Sequence, residues 1–167
     1  MSRRKLLEKL AFGAGAAATG LAAWPLAASV VQPLRGEAGP AEAPWVEVAS
    51  EKEVRADRPL KATLRIPVRD GYFTTLVELG AVWLRKGADG KVAALSGTCP
   101  HLGCGLGLDA KGGFGCPCHE SHFAFDGAYV KGPSPRAMDP LPVRVEDGRV
   151  LVQALRFATG TRVRRQI

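Results

Sequence analysis

The sequence predicts a mainly β protein that is preceded by one apolar helix. An uncharged stretch of 22 residues, Leu10–Val31, lies near the N-terminus. From Trp45 onward, β-branched and aromatic residues alternate with polar ones in short runs that end at turn residues. All four cysteines lie in a glycine-rich stretch between Ser96 and Pro135. We therefore expect an antiparallel β-sandwich or small barrel, with a loop insertion that carries the chemistry.

Residues 1–31 are predicted to be a membrane anchor. At about 1.5 Å per residue, the uncharged stretch makes a helix of about 33 Å, which can cross a hydrocarbon core of about 30 Å. Arg3-Arg4 resembles a twin-arginine export signal, and that pathway carries folded proteins with cofactors already inserted. Cleavage near Ala-Ala-Ser at 27–29 is the alternative. Basic residues before the span favour a cytoplasmic N-terminus, with the body on the outer side of a bacterial inner membrane.

A linker and one folded domain are predicted to follow the anchor. Residues 32–44 contain three prolines and two glycines, which is typical of a linker that does not pack. Residues 45–167 form the predicted domain, with hairpin turns at 87–90 and 146–148. The predicted strands are Trp45–Ala49, Ala62–Ile66, Phe73–Leu79, Ala81–Arg85, Val92–Leu95, Pro142–Val145 and Arg149–Val152.

The net charge of +7 does not indicate nucleic-acid binding. The excess positive charge lies in residues 1–35 and in the last twelve residues, whereas residues 36–155 are close to neutral. A surface that follows phosphates needs basic residues on the folded body. We therefore expect no nucleic-acid partner, and we expect the C-terminal arginines to form a solvated tail.

The chemistry is concentrated in two similar hexamers. Cys-Pro-His-Leu-Gly-Cys occupies residues 99–104, and Cys-Pro-Cys-His-Glu-Ser occupies residues 116–121. Together they hold every cysteine and two of the three histidines of the chain. Glycines in and around both hexamers let the backbone turn tightly, so that side chains from the two loops can converge. The remaining histidine, His122, is expected at the surface.

Two cysteines and two histidines fit two kinds of metal centre. Cys99, His101, Cys116 and His119 could bind tetrahedral zinc, or a two-iron cluster with both histidines on one iron. Cys104 and Cys118 remain outside that set. In an exported protein we expect them to form a disulfide that ties the two loops together.

The hexamers resemble the Rieske iron-sulfur proteins of quinol-oxidising cytochrome bc complexes. Gly132-Pro-Ser-Pro135 is similar to the third, proline-rich loop of that family. The direct resemblance covers roughly residues 92–152, and the anchor and linker fit the same layout. It implies a Rieske-type β-sandwich with a cluster-binding loop subdomain and one [2Fe-2S] cluster.

The resemblance also implies roles for individual residues. Cys99 and Cys116 would hold the buried iron, while His101 and His119 would hold the outer iron. A neutral imidazole raises the reduction potential relative to a thiolate, and its second nitrogen can release a proton. His119 would contact the quinol beside cytochrome b. The linker would let the domain swing towards a cytochrome c-type acceptor.

Two positions depart from the family pattern. The family often has Gly after the second histidine and Tyr two positions past the serine, where this chain has Glu120 and Phe123. Ser121 can still donate a hydrogen bond to a cluster sulfide, but Phe123 has no hydroxyl to donate to a cysteine sulfur. Both changes predict a low potential for the class, which suits a low-potential quinol such as menaquinol.

The resemblance therefore predicts the electron-transfer subunit of a quinol:cytochrome c oxidoreductase. The departures at 120 and 123 leave one alternative within electron transfer, the small Rieske subunit of an arsenite-oxidase-like exported enzyme. A soluble ferredoxin would need neither export nor the extra cysteine pair. A structural zinc module is the remaining alternative outside redox chemistry.

Overall fold

The computed structural model describes residues 2–31, 43–70, 73–87 and 89–167. The chain divides into two compact units, Met1–Ala41 and Glu42–Ile167. Most of the predicted linker, residues 32–42, lies outside the described residues.

The first unit contains helix α1, Arg3–Val31. The helix is 29 residues long and predominantly apolar. Its length and composition allow it to cross a membrane. Pro25 lies inside the helix, where it removes one backbone donor without ending the element.

The second unit is built from eleven described strands and one short 3-10 helix, Glu51–Glu53. The strands are β1 Trp45–Ser50, β2 Leu60–Asp70, β3 Phe73–Lys86, β4 Val92–Ser96, β5 Gly107–Leu108, β6 Phe114–Gly115, β7 His122–Phe123, β8 Tyr129–Lys131, β9 Pro140–Leu141, β10 Val143–Glu146 and β11 Arg149–Gln153. They form three antiparallel sheets, ordered β1-β11-β10, β2-β3-β4-β9 and β5-β6-β7-β8. The predicted all-β class is confirmed.

The long predicted strands are present, with one difference. The two runs predicted at 73–79 and 81–85 form the single strand β3. Its pairing with β2 shifts between Leu64 and Arg65, which leaves Leu79 as an extra residue beside Gly80. This β-bulge interrupts the alternation of side chains, so the sequence pattern breaks at a point where the backbone continues. The two-residue strands of the third sheet are too short to show a period.

The first two sheets enclose the larger apolar core. Residues at alternate positions of β3, β4 and β11 point into it, as expected for strands with one buried face. Val82 and Leu84 of β3 and Val150 and Val152 of β11 are fully buried there. Val54, Leu64, Ala94 and Leu141 complete the buried set.

A second core lies on the opposite face of β3 and supports the loops that contain the two hexamers. Trp83 stands between Val82 and Leu84, so its side chain points away from the first core. Its ring lies 5.2 Å from that of Phe114, and its indole nitrogen donates a hydrogen bond of 3.3 Å to the Leu106 carbonyl. Cys99 and Cys116 are buried in this second core. Adjacent residues of one strand therefore hold the two parts of the domain together.

The prediction of a solvated C-terminal tail is wrong for Arg164. Its guanidinium lies 2.8 Å from the carboxylate of Asp139, whose side chain is only 5% exposed. Arg136 contacts the same carboxylate at 2.7 Å. A buried carboxylate needs such partners because an isolated charge in a protein interior is costly. The tail is therefore fastened to the domain.

We predict that the core face of β3 determines stability. Leu84→Ala removes a fully buried side chain and should lower the free energy of unfolding by about 2–5 kcal/mol. Leu76→Ala, on the same strand but at a side chain that is 66% exposed, should change it by less than about 0.5 kcal/mol. Urea denaturation followed by circular dichroism measures both values. Equal losses in the two variants would contradict this assignment of the core.

Candidate metal centre

The two hexamers fold into loops with the same hydrogen-bond pattern. In each loop, the amide of the first residue donates to the carbonyl of the sixth: Cys99 to Cys104 at 2.7 Å, and Cys116 to Ser121 at 2.8 Å. The amide of the fifth residue donates back to the carbonyl of the first, from Gly103 at 3.0 Å and from Glu120 at 3.2 Å. The sequence similarity of the hexamers is therefore a similarity of backbone structure.

The fifth position of each loop requires a left-handed backbone. Gly103 has φ +84° and Glu120 has φ +55°. Glycine adopts this conformation freely, whereas another residue is disfavoured by about 1–3 kcal/mol. The left-handed backbone thus explains why the family often has glycine after the second histidine. Glu120 places a side chain where the loop geometry favours none.

A disulfide joins the two loops, as predicted. Cys104 and Cys118 are bonded with an S–S distance of 2.15 Å and a Cα–Cα distance of 6.6 Å. The sulfurs of Cys104, Cys116 and Cys118 lie within 4.8 Å of one another. Since two of the three are in the disulfide, Cys116 is the only one of them that has a thiolate to offer a metal.

Cys99 and Cys116 are free thiols, and both are buried. Burial raises the pKa of the Cys99 thiol, and the neighbouring Cys116 raises it further because two thiolates would repel each other. The backbone at His101 and the hydroxyl of Ser121 oppose this effect by donating hydrogen bonds. Two neighbouring buried thiols are suited to a cation that would neutralise both thiolates.

His101 of the first hexamer and His119 of the second hexamer meet edge to face. Their ring centroids lie 4.9 Å apart, with the ring planes at 87°. His119 is exposed, whereas Nδ1 of His101 is buried and has no hydrogen-bond partner among the described residues. An unsatisfied buried nitrogen costs free energy unless a ligand binds it. The residues present therefore fit a metal centre with two thiolates and two imidazoles.

The proline-rich loop packs on the second hexamer. The amide of Ser134 donates a 3.1 Å hydrogen bond to the fully buried hydroxyl of Ser121. Gly132 has φ +106°, and a Cβ at this position would lie 2.5 Å from the Cα of Ser121. Only glycine allows so close an approach, so residues 132–135 pack directly against the second hexamer.

Phe123 lies in the second core with the two thiols. It is 1% exposed, and its ring centroid is 6.5 Å from that of Tyr129. The hydroxyl of Tyr129 donates to the Gly132 carbonyl at 2.5 Å and so bonds to the third loop. The hydroxyl that the family often has at position 123 is therefore absent at a buried position beside the candidate ligands.

His122 is more constrained than the expected surface histidine. Its side chain is 26% exposed, and Nδ1 lies 2.5 Å from a carboxylate oxygen of Asp109. The backbone amide of Lys111, and then His122, lower the pKa of Asp109 below its ordinary value of 3.8. Sequence reasoning missed Asp109 because thirteen residues separate the pair. The contact fastens the loop after β5 to β7.

The chain belongs to the Rieske [2Fe-2S] domain family, whose model matches residues 44–145. It is 28% identical over 155 residues to the menaquinol:cytochrome c reductase iron-sulfur subunit of Geobacillus thermodenitrificans, covering 90% of this chain and 89% of that protein. It is 30% identical over 162 residues to the cytochrome b6-f complex iron-sulfur subunit of Gloeobacter violaceus, covering 91% and 82%. The crystal structure of a cyanobacterial plasma membrane Rieske protein from Synechocystis PCC 6803 is 29% identical and covers 56% of this chain and 85% of that one, with a TM-score of 0.43.

The cofactor is accordingly one Rieske-type [2Fe-2S] cluster. This excludes the structural zinc module that the residue types had left open. The chain is an oxidoreductase component.

We predict that the Cys104–Cys118 disulfide supports the cluster without binding it. Replacing both cysteines with serine should destabilise the domain by roughly 3 kcal/mol, because the disulfide closes a loop of about 15 residues. The variant should assemble a cluster with the usual visible spectrum and lose it faster to an iron chelator. A double variant that never takes up iron, whatever the assembly conditions, would show that these cysteines have another role.

The Asp109–His122 pair should contribute to acid stability. A carboxyl whose pKa is lower in the folded than in the unfolded state stabilises the fold above its unfolded value, near 3.8. That contribution is lost as the pH falls through the lower, folded value. The stability difference between the native protein and Asp109→Asn should therefore be constant at neutral pH and shrink below about pH 4. Urea titrations at a series of pH values measure this stability difference. A difference that grows on acidification would show that the pKa of Asp109 is not lowered in the folded protein.

Proposed function

We propose that this chain is the electron-transfer subunit of a quinol:cytochrome c oxidoreductase. It would take one electron, with proton coupling, from a quinol and pass it to a cytochrome c-type acceptor. The observation that carries the proposal is the pairing of two buried thiols with two histidines, one of which reaches the surface. The relatives named above, which match nearly the whole chain, support it.

Cys99, Cys116, His101 and His119 are the proposed ligands, and Ser121 is the proposed hydrogen-bond donor to the cluster. When bound, the [2Fe-2S] cluster supplies one-electron redox chemistry at a potential that its two imidazoles raise. Ser121 is fully buried, and its oxygen already accepts the Ser134 amide, so its own hydrogen is directed elsewhere in the site. The disulfide and the third loop limit the access of water.

The histidines are proposed to handle the proton. The buried Nδ1 of His101 is the nitrogen without a partner, which leaves Nε2 to exchange a proton at the surface. His119 is exposed and meets His101 edge to face, so one quinol hydroxyl can approach this end of the domain. We propose His119 as the residue that accepts the quinol hydrogen bond, with His101 beside it.

A single N-terminal anchor fits this role, since α1 is long and apolar enough to span a bilayer. We propose an inner-membrane protein with a cytoplasmic N-terminus and the Rieske domain on the outer side. Its partners would be a cytochrome b subunit and a cytochrome c-type acceptor. Residues 1–31, 32–44 and 45–167 would act as signal anchor, hinge and redox domain.

We propose a low-potential quinol such as menaquinol as the substrate. Phe123 cannot donate a hydrogen bond to a cysteine sulfur, and Glu120 adds negative charge beside the exposed histidine. Both effects favour the oxidised state and so lower the potential. The name of the Geobacillus relative includes menaquinol, which is consistent with this choice.

By name, the relatives that match nearly the whole chain are iron-sulfur subunits of a menaquinol:cytochrome c reductase and of a cytochrome b6-f complex, which does not favour the arsenite-oxidase-like alternative. One experiment tests the proposal against it. The full chain, expressed in its own membranes, should stay membrane-bound after a carbonate wash and show the low-temperature electron spin resonance signal of a Rieske cluster, which added menaquinol should produce from the oxidised protein. A protein released by carbonate and not reduced by menaquinol would refute the proposal.

Phe123→Tyr should raise the reduction potential. A hydrogen bond to a charged acceptor contributes about 1.5–3 kcal/mol, which corresponds to roughly 65–130 mV for one electron. Phe123 lies in the same core as both thiols, so the added hydroxyl has an acceptor within that core. Voltammetry at fixed pH measures the change, and Phe125→Tyr at an exposed ring is a matched control that should not move the potential. An unchanged potential in Phe123→Tyr would show that the hydroxyl does not reach a sulfur.

The hinge role of residues 32–44 predicts a kinetic effect. A domain held at the quinol site cannot also reach a distant acceptor, so added prolines in the linker should slow cytochrome c reduction. The cluster spectrum and potential should be unchanged, because the linker contributes no residue to the proposed site. Turnover of the membrane complex in stopped-flow assays provides the measurement. A normal turnover rate in a variant with a stiffened linker would show that the linker is only a passive tether.

A further inference from the structure

The C-terminal segment, residues 155–167, contacts the first cluster-binding loop. The amide of Gly160 donates a 2.9 Å hydrogen bond to the Pro100 carbonyl, which lies between Cys99 and His101. A Cβ built on Gly103 would lie 3.8 Å from the Thr159 methyl group. The segment thus approaches the first hexamer on both sides of His101.

Three charged side chains fasten the same segment to the third loop. Arg136 binds the Asp139 carboxylate through two nitrogens, at 2.9 and 2.7 Å, and Arg164 binds it at 2.8 Å. Arg136 also donates to the carbonyls of Thr161, at 2.6 Å, and Ala158, at 2.8 Å. Because the side chains of Arg136 and Asp139 are 7% and 5% exposed, these contacts are shielded from water.

The charged cluster connects to the candidate ligands through the third loop. The hydroxyl of Ser134 donates to the Arg136 carbonyl at 2.9 Å, and the amide of Ser134 donates to Ser121 at 3.1 Å. Ser121 is the sixth residue of the second hexamer, and its carbonyl accepts the Cys116 amide at 2.8 Å. Hydrogen bonds through Arg164, Asp139, Arg136 and Ser134 therefore connect the C-terminal segment to Ser121 of the second hexamer.

The contact with the first loop is a discrete link rather than a packed interface. A cavity of about 520 Å³ lies between the segment and the loop, and its lining includes Cys99, Pro100, Gly103, Thr159 and Ile167. Apolar packing between the segment and the loop is therefore incomplete on this side. The hydrogen bond from Gly160 and the ion pairs that anchor its segment add to the disulfide in holding the loop.

We propose that residues 155–167 form a brace that positions the first and third loops at the cluster, with Arg164, Asp139 and Arg136 as its positioning residues. The proposal rests on the proposed function only in assigning His101 and Cys99 to the cluster. Loss of the brace frees the Pro100 carbonyl and so loosens the backbone between these two ligands. The brace should therefore limit the variation in cluster geometry between molecules, in addition to stabilising the fold.

Arg164→Gln tests the brace, and Arg162→Gln is the matched control. Both remove one positive charge from an exposed side chain of the same segment, but the guanidinium of Arg162 has no ion pair among the described residues. The full-length protein with its cluster is studied by hydrogen-exchange mass spectrometry on peptides that contain Gly160. Cluster loss to a chelator and the electron spin resonance line widths of the reduced cluster are measured on the same samples.

Arg164→Gln should raise the exchange rate of the Gly160 peptide by about tenfold, speed cluster loss several-fold and broaden the resonance lines. Arg162→Gln should stay within about twofold of the native protein. Arg164→Lys keeps the charge but loses the planar guanidinium, so its values should lie between the two. Equal values for the two Gln variants would overturn the proposal. Fast exchange in Arg164→Gln with unchanged resonance lines and an unchanged rate of cluster loss would also overturn it.

Arg164→Gln could also accumulate without iron. An apoprotein with native circular dichroism and an intact disulfide would support the brace, whereas an unfolded one would show that the segment only stabilises the fold. These readouts need no quinol. A protein that shows a Rieske signal but is released by carbonate or not reduced by menaquinol would therefore refute the proposed function. The proposal of the brace would be unaffected.

Discussion

The centre of strand β3 is buried on both faces, and the arrangement of the domain depends on this. Val82 and Leu84 enter the core between two sheets, while Trp83 enters the core beneath the loops that contain the two hexamers. The indole donates to the Leu106 carbonyl and packs on Phe114. A strand with alternating side chains can thus join two cores without any additional element. Trp83 thus connects the loops that contain the two hexamers to the sheet that forms the larger core.

The two hexamers are one loop structure used twice. Each is closed by the same pair of backbone hydrogen bonds, and each has a left-handed residue at its fifth position. The repeated geometry presents a buried cysteine at the first position of each loop. The histidines stand at the third position of one loop and the fourth of the other, and their rings still meet. The disulfide takes the sixth position of the first loop and the third of the second, so it joins the loops while leaving both buried thiols free.

Buried charge is placed where it can hold separate parts of the chain. The Asp139 carboxylate forms ion pairs with two arginines. Arg136 directly follows the third loop, and Arg164 belongs to the C-terminal segment. Breaking such a buried pair is expensive because the remaining charge stays desolvated. The same reasoning applies less strongly to Asp109 and His122, which are more exposed. Both contacts connect a loop of the metal centre to a neighbouring segment.

The fold class, the long strands, the family and the disulfide follow from the amino-acid sequence alone. Alternation with period two reveals a strand with one buried face, and cysteines in spaced hexamers reveal loops that converge. The positions of Asp109, Asp139 and Arg164 followed only from the tertiary structure. Asp109 lies thirteen residues from His122, and Asp139 lies twenty-five residues from Arg164. An isolated acid or arginine looks the same in a sequence whether it is solvated or buried. The short strands of the third sheet were also hidden, because two residues cannot show a period. Local patterns record which side chains face a core, whereas long-range ion pairs depend on how the loops pack once that core has formed.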